Sequence, residues 1–151
     1  MSKDFTTIIP GKGLGDLRFG MTRNEVKKII GEPDEIEQIP FSDDENDTME
    51  TWHYDEHELS ISFEKEMDNK LTTIAISALN ASLNGEKLID QHKDTVMAKL
   101  ALMNLGEFDD EIIEEDEDSK ISMVSCYDSG LIFWFENDIL TEIQLGMLED
   151  E

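Results

Sequence analysis

Two windows of this chain repeat one another, and that repeat limits the possible folds more than any other feature. Tyr54-Asp55, Leu59-Ser60-Ile61-Ser62-Phe63-Glu64 and Leu71-Thr72-Thr73-Ile74-Ala75-Ile76 in the first answer to Tyr127-Asp128, Leu131-Ile132-Phe133-Trp134-Phe135-Glu136 and Leu140-Thr141-Glu142-Ile143-Gln144-Leu145 in the second. Upstream of each lies a helix-like segment closed by a similar phrase, Gly31-Glu32-Pro33-Asp34-Glu35-Ile36 and Gly106-Glu107-Phe108-Asp109-Asp110-Glu111-Ile112, with Val26 and Val96 at matching places. Equivalents lie about 70 to 76 residues apart, which describes a duplicated module and not a solenoid array. The expectation is a single domain over residues 1–151 made of two repeats, at about 13–79 and 80–148.

Each module reads as helix, strand, strand, strand. Thr22 is a natural N-cap, Glu25 completes a capping box, and Met21 can staple against Val26. Val26, Ile29 and Ile30 form one apolar face, and Gly31 followed by Pro33 ends the helix. The spacing predicts a second helix from Asp94, with Val96, Leu100 and Met103 on one stripe and a stop at Gly106. Leu59, Ile61 and Phe63 alternate with Ser60 and Ser62, as in a half-buried strand, and Ser129-Gly130 marks a turn. The fold class that follows is α+β: helices on one face of a mostly antiparallel sheet, the other face open or lightly covered.

The repeats differ on that other face. Ser60 and Ser62 of the first become Ile132 and Trp134 of the second, which point away from the helices if Leu131, Phe133 and Phe135 point toward them. A Trp on an open sheet rimmed by acids suits the anchor of a protein interface. The alternative is a second small core, with the N-terminal arm or a loop covering these side chains.

Charge narrows the partner. The net charge is -25 on 151 residues, against the roughly 2 to 8 units that keep a small domain soluble. No Lys or Arg falls between Ile29 and Glu64, where thirteen acids do, including Asp43-Asp44-Glu45-Asn46-Asp47. From Glu107 onward Lys120 stands alone against sixteen acids, nine of them between Glu107 and Asp118. Such a field repels nucleic acid and anionic membrane and speeds encounter with a basic partner. The apolar fraction of 38% is too high for wholesale disorder. There is no apolar run long enough for a membrane span, no signal-like N-terminus, and one cysteine, Cys126, so the expectation is cytoplasmic.

At this point the chain resembles a family. Gly13-Leu-Gly-Asp-Leu-Arg-Phe-Gly-Met-Thr-Arg-Asn-Glu-Val-Lys-Lys-Ile-Ile-Gly-Glu-Pro-Asp looks like the opening of the helix-plus-hairpin modules of the β-lactamase inhibitor protein and barrel-assembly lipoprotein (BamE-like) group. There a "G-M-[ST]-x-x-E-V-x-x-x-x-G-x-P" stretch precedes antiparallel strands, often in tandem. The match covers about Gly13 to Ile76, and the second module only in its strands. The resemblance implies a protein binder and not a catalyst; similar acidic cytoplasmic domains occur among immunity proteins that neutralise bacterial toxins. The chain lacks the secreted inhibitor's disulfide pairs and the lipoprotein's lipidation cysteine.

Other candidate chemistry is thin. His53 and His57 flank carboxylates, but on a strand they would stand about 13 Å apart, too far to share a metal; only a tight turn through Asp55 to Glu58 could bring them together. Asp43 to Asp47 has the look of a calcium loop, yet Thr48 stands where an EF-hand needs glycine. Gly11-Lys12-Gly13-Leu14-Gly15 lacks the Gly-Lys-Ser/Thr ending of a phosphate loop and reads as a tight turn into a strand. Cys126, beside Val124 in a strand, reads as a structural thiol. No metal, cofactor or catalytic group is expected, and the chain is not expected to be an enzyme.

The reading is a non-catalytic immunity or inhibitor protein, as in contact-dependent growth inhibition, that binds a basic toxin domain such as a nuclease. Its partner-binding residues are Asp43, Asp44, Glu45 and Asp47 in one acidic loop, Glu114, Glu115, Asp116, Glu117 and Asp118 in a strand-connecting second, and Ile132 and Trp134 as the apolar centre. The alternative is an acidic nucleic-acid mimic, or another binding module, acting on a host protein. A catalytic or small-ligand domain would need a pocket with convergent polar groups, which the sequence does not announce.

Overall fold

The computed structural model describes residues 5–40, 48–65 and 68–147. In chain order the elements are β1 (Thr7–Ile9), β2 (Gly13–Leu14), β3 (Leu17–Arg18), α1 (Arg23–Ile30), β4 (Glu35–Pro40), β5 (Thr48–Tyr54), β6 (Leu59–Glu64), β7 (Lys70–Ile76), β8 (Ser82–Leu83), β9 (Glu86–Lys87), α2 (Lys93–Ala101), β10 (Asp109–Glu115), β11 (Lys120–Cys126), β12 (Leu131–Glu136) and β13 (Ile139–Gly146). This is an α+β architecture of two helices and mostly antiparallel sheets.

Eight strands form one antiparallel sheet in the order β10-β11-β12-β13-β7-β6-β5-β4. A helix followed by a four-strand meander occurs twice along the chain, and the two meanders meet along their last strands. There Ile143 pairs with Ile76 and Leu145 with Ile74, joining the halves across the middle of the sheet. The remaining strands form a small sheet, β3-β2-β1-β8-β9, whose β1–β8 pair is the one parallel pairing among the described strands.

The first helix forms as its sequence dictates. Thr22 Oγ1 accepts from the Glu25 N–H at 3.2 Å, and Glu25 Oε1 accepts from the Thr22 N–H at 3.1 Å. Two N–H groups left orphaned by the helix start are thereby satisfied. At the other end Gly31 adopts φ 93, a left-handed conformation natural to glycine, and its N–H donates to the Lys27 carbonyl. The second helix departs from expectation at both ends. It is capped by His92, whose Nδ1 accepts from the Asp94 N–H, and it stops at Ala101. Asn104, with φ 54, turns the chain well before Gly106; Asn tolerates that conformation because its short amide bonds locally. Gly106 serves a different need: a Cβ there would fall 2.5 Å from Asp128 Oδ2.

Each half also holds one strand more than expected, β4 and β10. Both are edge strands, exposed along nearly their whole length, so they lack the buried alternation that marks β6. The sequence Glu114-Glu115, expected in a loop, is the end of β10; the connection itself is the short turn at Asp116–Asp118.

One apolar core lies on a single face of the large sheet. It unites Trp52, Ile61, Phe63, Ile74, Ile76, Phe133, Phe135, Ile143 and Leu145 of the sheet with Val26 of α1 and Val96 and Leu100 of α2. The small sheet adds Ile8, Leu14, Leu17 and Leu83 to the same core. The N-terminal arm therefore packs on the helix side, not over Ile132 and Trp134. Among the described residues, neither of those two side chains, nor Ile121 or Met123 beside them, joins the core, so no second core forms there.

Candidate protein-binding face

Alternation along each strand sends every second side chain away from the helices, and the register sorts them into rows. One row crosses all eight strands: Asp109, Ser125, Ile132, Gln144, Ala75, Ser60, His53 and Glu35, each directly opposite the next. At about 4.8 Å per strand spacing, it runs roughly 34 Å, with a carboxylate at each end. Beside it run two shorter rows. Glu111, Met123, Trp134 and Glu142 lie opposite one another in one. Thr73, Ser62, Thr51 and Glu37 form the other.

The two ends of the face differ chemically. Around Trp134 it is apolar: Ile132, Trp134, Met123 and Ile121 are all partly exposed. Trp134 Nε1 donates to Gln144 Oε1 at 3.3 Å, which satisfies the indole N–H and holds the ring against β13. Next to this patch is a hollow of about 590 Å³ bordered by Ile132, Gln144, Thr73 and Gly146, with the 71% exposed Tyr127 at its rim. Gly146 and Gly130 bring no side chains to fill it.

Around His53 the face is polar. His53 Nε2 lies 3.1 Å from Glu37 Oε1 and Nδ1 lies 2.8 Å from Ser60 Oγ. A carboxylate only accepts, so Nε2 carries the proton, and in the neutral ring Nδ1 accepts from the Ser60 hydroxyl. Thr51 and Ser62 share a buried hydroxyl contact at 3.0 Å. Ser60, His53 and Glu37 stand in the order of a nucleophile, a base and an orienting acid. The backbone N–H groups of these central strands are engaged in the sheet ladder, however, so they are not aimed at a developing oxyanion.

Between the two regions, Glu142 is half buried, and burial holds its carboxyl above the usual range. It borders a second hollow of about 350 Å³ with Glu35, His53, Ser60 and Ala75. Tyr54, near the same hollow, has its phenol pushed upward by burial and then by Glu32 and Asp34, while its hydroxyl donates to the Gly31 carbonyl at 2.8 Å.

The expected partner-binding residues are distributed unevenly over this surface. Ile132 and Trp134 share the face, and Glu114 joins them at its rim, opposite Ile121. Glu115 points to the helix side, opposite Lys120. Asp116 is a turn-maker: its Oδ1 accepts from the N–H groups of Asp118 and Ser119 at 2.9 Å each, and these bonds hold its carboxyl below the usual range. Glu117 and Asp118 are exposed in the same turn. Asp43, Asp44, Glu45 and Asp47 lie outside the described residues. The acids in register with Trp134 are Glu142, directly opposite it, and Glu111, beyond Met123; sequence reasoning passed over both, along with Asp109, Met123 and Gln144. Only the strand register places them together.

The two histidines near Asp55 serve separate contacts. His53 is bonded as above, while His57 meets the Phe5 ring edge-on at 5.1 Å. Cys126 is buried, and its thiol donates to the Leu105 carbonyl at 3.3 Å. Gly11-Lys12 turns the chain from β1 into β2. No described helix is long and apolar enough to cross a membrane.

No protein-family model matches this chain, and no curated protein matches it. Among solved structures, a "putative beta-lactamase inhibitor protein" from Streptococcus mutans aligns over 83% of this chain and 82% of its own, at 18% identity and a TM-score of 0.33. A score that low bears on neither the topology nor the role of this chain.

Proposed function

We propose that this chain is a non-catalytic cytoplasmic inhibitor that binds a basic protein, most specifically as the immunity partner of a toxin domain such as a nuclease. One observation carries the reading: Trp134 sits partly exposed outside the core, flanked in register by Met123 and Glu111 on one side and Glu142 on the other. An apolar centre inside an acidic rim is the layout of a surface that buries an aromatic anchor and steers a basic partner. The net charge of -25 favours rapid capture of such a partner, and a nuclease must carry Lys and Arg to hold phosphates. The helix-then-meander order occurring twice supports reading the halves as copies of one module, a simple route to one continuous face from two small units.

The test is co-expression of the untagged chain with the product of the reading frame immediately upstream, tagged on its C-terminal domain. A one-to-one complex that weakens with salt, together with rescued growth, is the expected result. Trp134→Ala should loosen that complex by about 2 kcal/mol or more, the scale of an interface anchor. Charge reversal at Glu111 and Glu114 should slow association and flatten its salt dependence. A neighbour that is harmless and does not bind removes the immunity assignment. A tight complex indifferent to all these substitutions removes the face.

A further inference from the structure

The large sheet ends at β10, and no described strand pairs with its outer edge. All seven of its residues are exposed. Its sequence, Asp109-Asp110-Glu111-Ile112-Ile113-Glu114-Glu115, places carboxylates on both faces, and Ile112 and Ile113 are 56% and 49% exposed. An open edge of this kind is a template for another strand.

Charge selects the occupant. A second copy laid antiparallel on this edge would set Asp and Glu opposite Asp and Glu, which is destabilising in directly paired positions. An extended segment bearing Lys or Arg reverses the sign of each of those pairs. The opposite edge, β4, is a poorer host. It ends in Pro40, which lacks an N–H, and its Glu37 and Gln38 side chains are already bonded to His53 and Glu50. Among the described residues, the one ion pair made by β10 is that of Asp110 with Lys93, at 2.8 Å on the helix side.

We infer that the outer edge of β10 accepts an extended, Lys- or Arg-rich strand of a partner protein by β-addition, lengthening the sheet by one strand. Backbone hydrogen bonds supply the attraction common to any strand, and the acidic side chains restrict it to basic ones. This contact runs along the backbone edge beside the face around Trp134 and shares Glu111 and Glu114 with its rim; its test needs no knowledge of the natural partner.

The probe is a peptide of about nine residues alternating Lys and Val, compared with its Glu/Val counterpart and with a Lys/Val peptide N-methylated along one edge. Each is titrated into the isotope-labelled full chain by nuclear magnetic resonance, with amide hydrogen exchange as a second readout. The Lys/Val peptide should shift resonances of β10 and β11 and slow exchange of outward β10 amides. N-methylation, which keeps the charge but removes donors, should weaken binding about tenfold or more. The Glu/Val peptide should not bind, and Glu111→Lys with Glu114→Lys should abolish the preference for Lys. Equal binding of the methylated peptide, or shifts spread evenly over the acidic surface, would reduce the effect to charge attraction and overturn the inference. No binding by the Lys/Val peptide overturns it as well.

Discussion

Replacing Leu145 with Ala tests whether the two halves melt as one body. Leu145 is fully buried and lies opposite Leu131 of its own half and Ile74 of the other, so its side chain occupies the seam itself. The substitution removes three carbons, worth about 2.4 kcal/mol at roughly 0.8 kcal/mol each. Partial collapse leaves a cavity that adds about 1 kcal/mol more, giving a loss near 3 to 4 kcal/mol. For a chain of this size each kcal/mol lowers the melting temperature by about 2 to 4 °C, so the midpoint should fall by about 10 °C. Calorimetry and urea unfolding, followed at once by far-ultraviolet circular dichroism and tryptophan emission, give the assay. Trp52 reports on the first half and Trp134 on the second. A single shifted transition, coincident in all probes, is expected. A loss below about 1 kcal/mol, or two transitions in which Trp134 melts early while Trp52 keeps its original midpoint, would refute the idea that the seam makes one cooperative unit.

Three further outcomes can be checked on the same instruments. Thr22→Ala removes the acceptor for the Glu25 N–H and should lower stability by about 1 kcal/mol; Thr22→Ser should restore most of it. Gly13→Ala should prevent native packing of the N-terminal arm, since its Cβ would lie 2.0 Å from the Leu17 carbonyl oxygen at a φ of +153; a melting temperature within about 1 °C of the parent's would contradict this. Glu142→Gln should stabilise the chain at neutral pH. Burial raises the folded-state pKa of Glu142, so the proton is held more tightly folded than unfolded. Its favourable contribution is fully present below the ordinary glutamate value of 4.5 and is lost as pH rises through the folded value. The advantage of Gln should therefore shrink on acidification, and a constant advantage across that window would exclude burial as its cause.

What was legible in the sequence was local. The Thr22/Glu25 box, the Gly31 stop and the Leu59/Ile61/Phe63 alternation each depend on residues within a few positions, and each stands where its pattern placed it. The edges were not legible. Asp109–Glu115 is rich in residues of low strand propensity and buries no side chain, so the pairing with β11, a tertiary fact, makes it a strand. Of the small sheet, only the turn at Gly11-Lys12 into β2 was legible; the sheet's pairing was not, because its strands are two or three residues long, below the reach of any periodicity. For the candidate face, alternation identified Ile132 and Trp134, but Glu111, Met123 and Glu142 join them only through register across strands distant in sequence. The second acidic segment looked like a loop for the same reason that it is an edge: nothing about it is apolar on one side.

The placement of β13 has a consequence for synthesis. Among the described strands it is the last in chain order, yet it sits in the middle of the sheet, between β12 and β7. Chains are made from the N-terminus at about 5 to 20 residues per second, and domains tend to fold as they emerge. While the ribosome completes the second half, β7 waits with an open edge, and Ile74 and Ile76 lack their partners on β13. A nascent chain of this design keeps that edge of β7 open until β13 has emerged. The strong negative charge laid down earlier in the chain keeps neighbouring nascent copies apart during that interval. Loss of β13 through early termination would leave the edges of β12 and β7 unpaired, open templates for another strand.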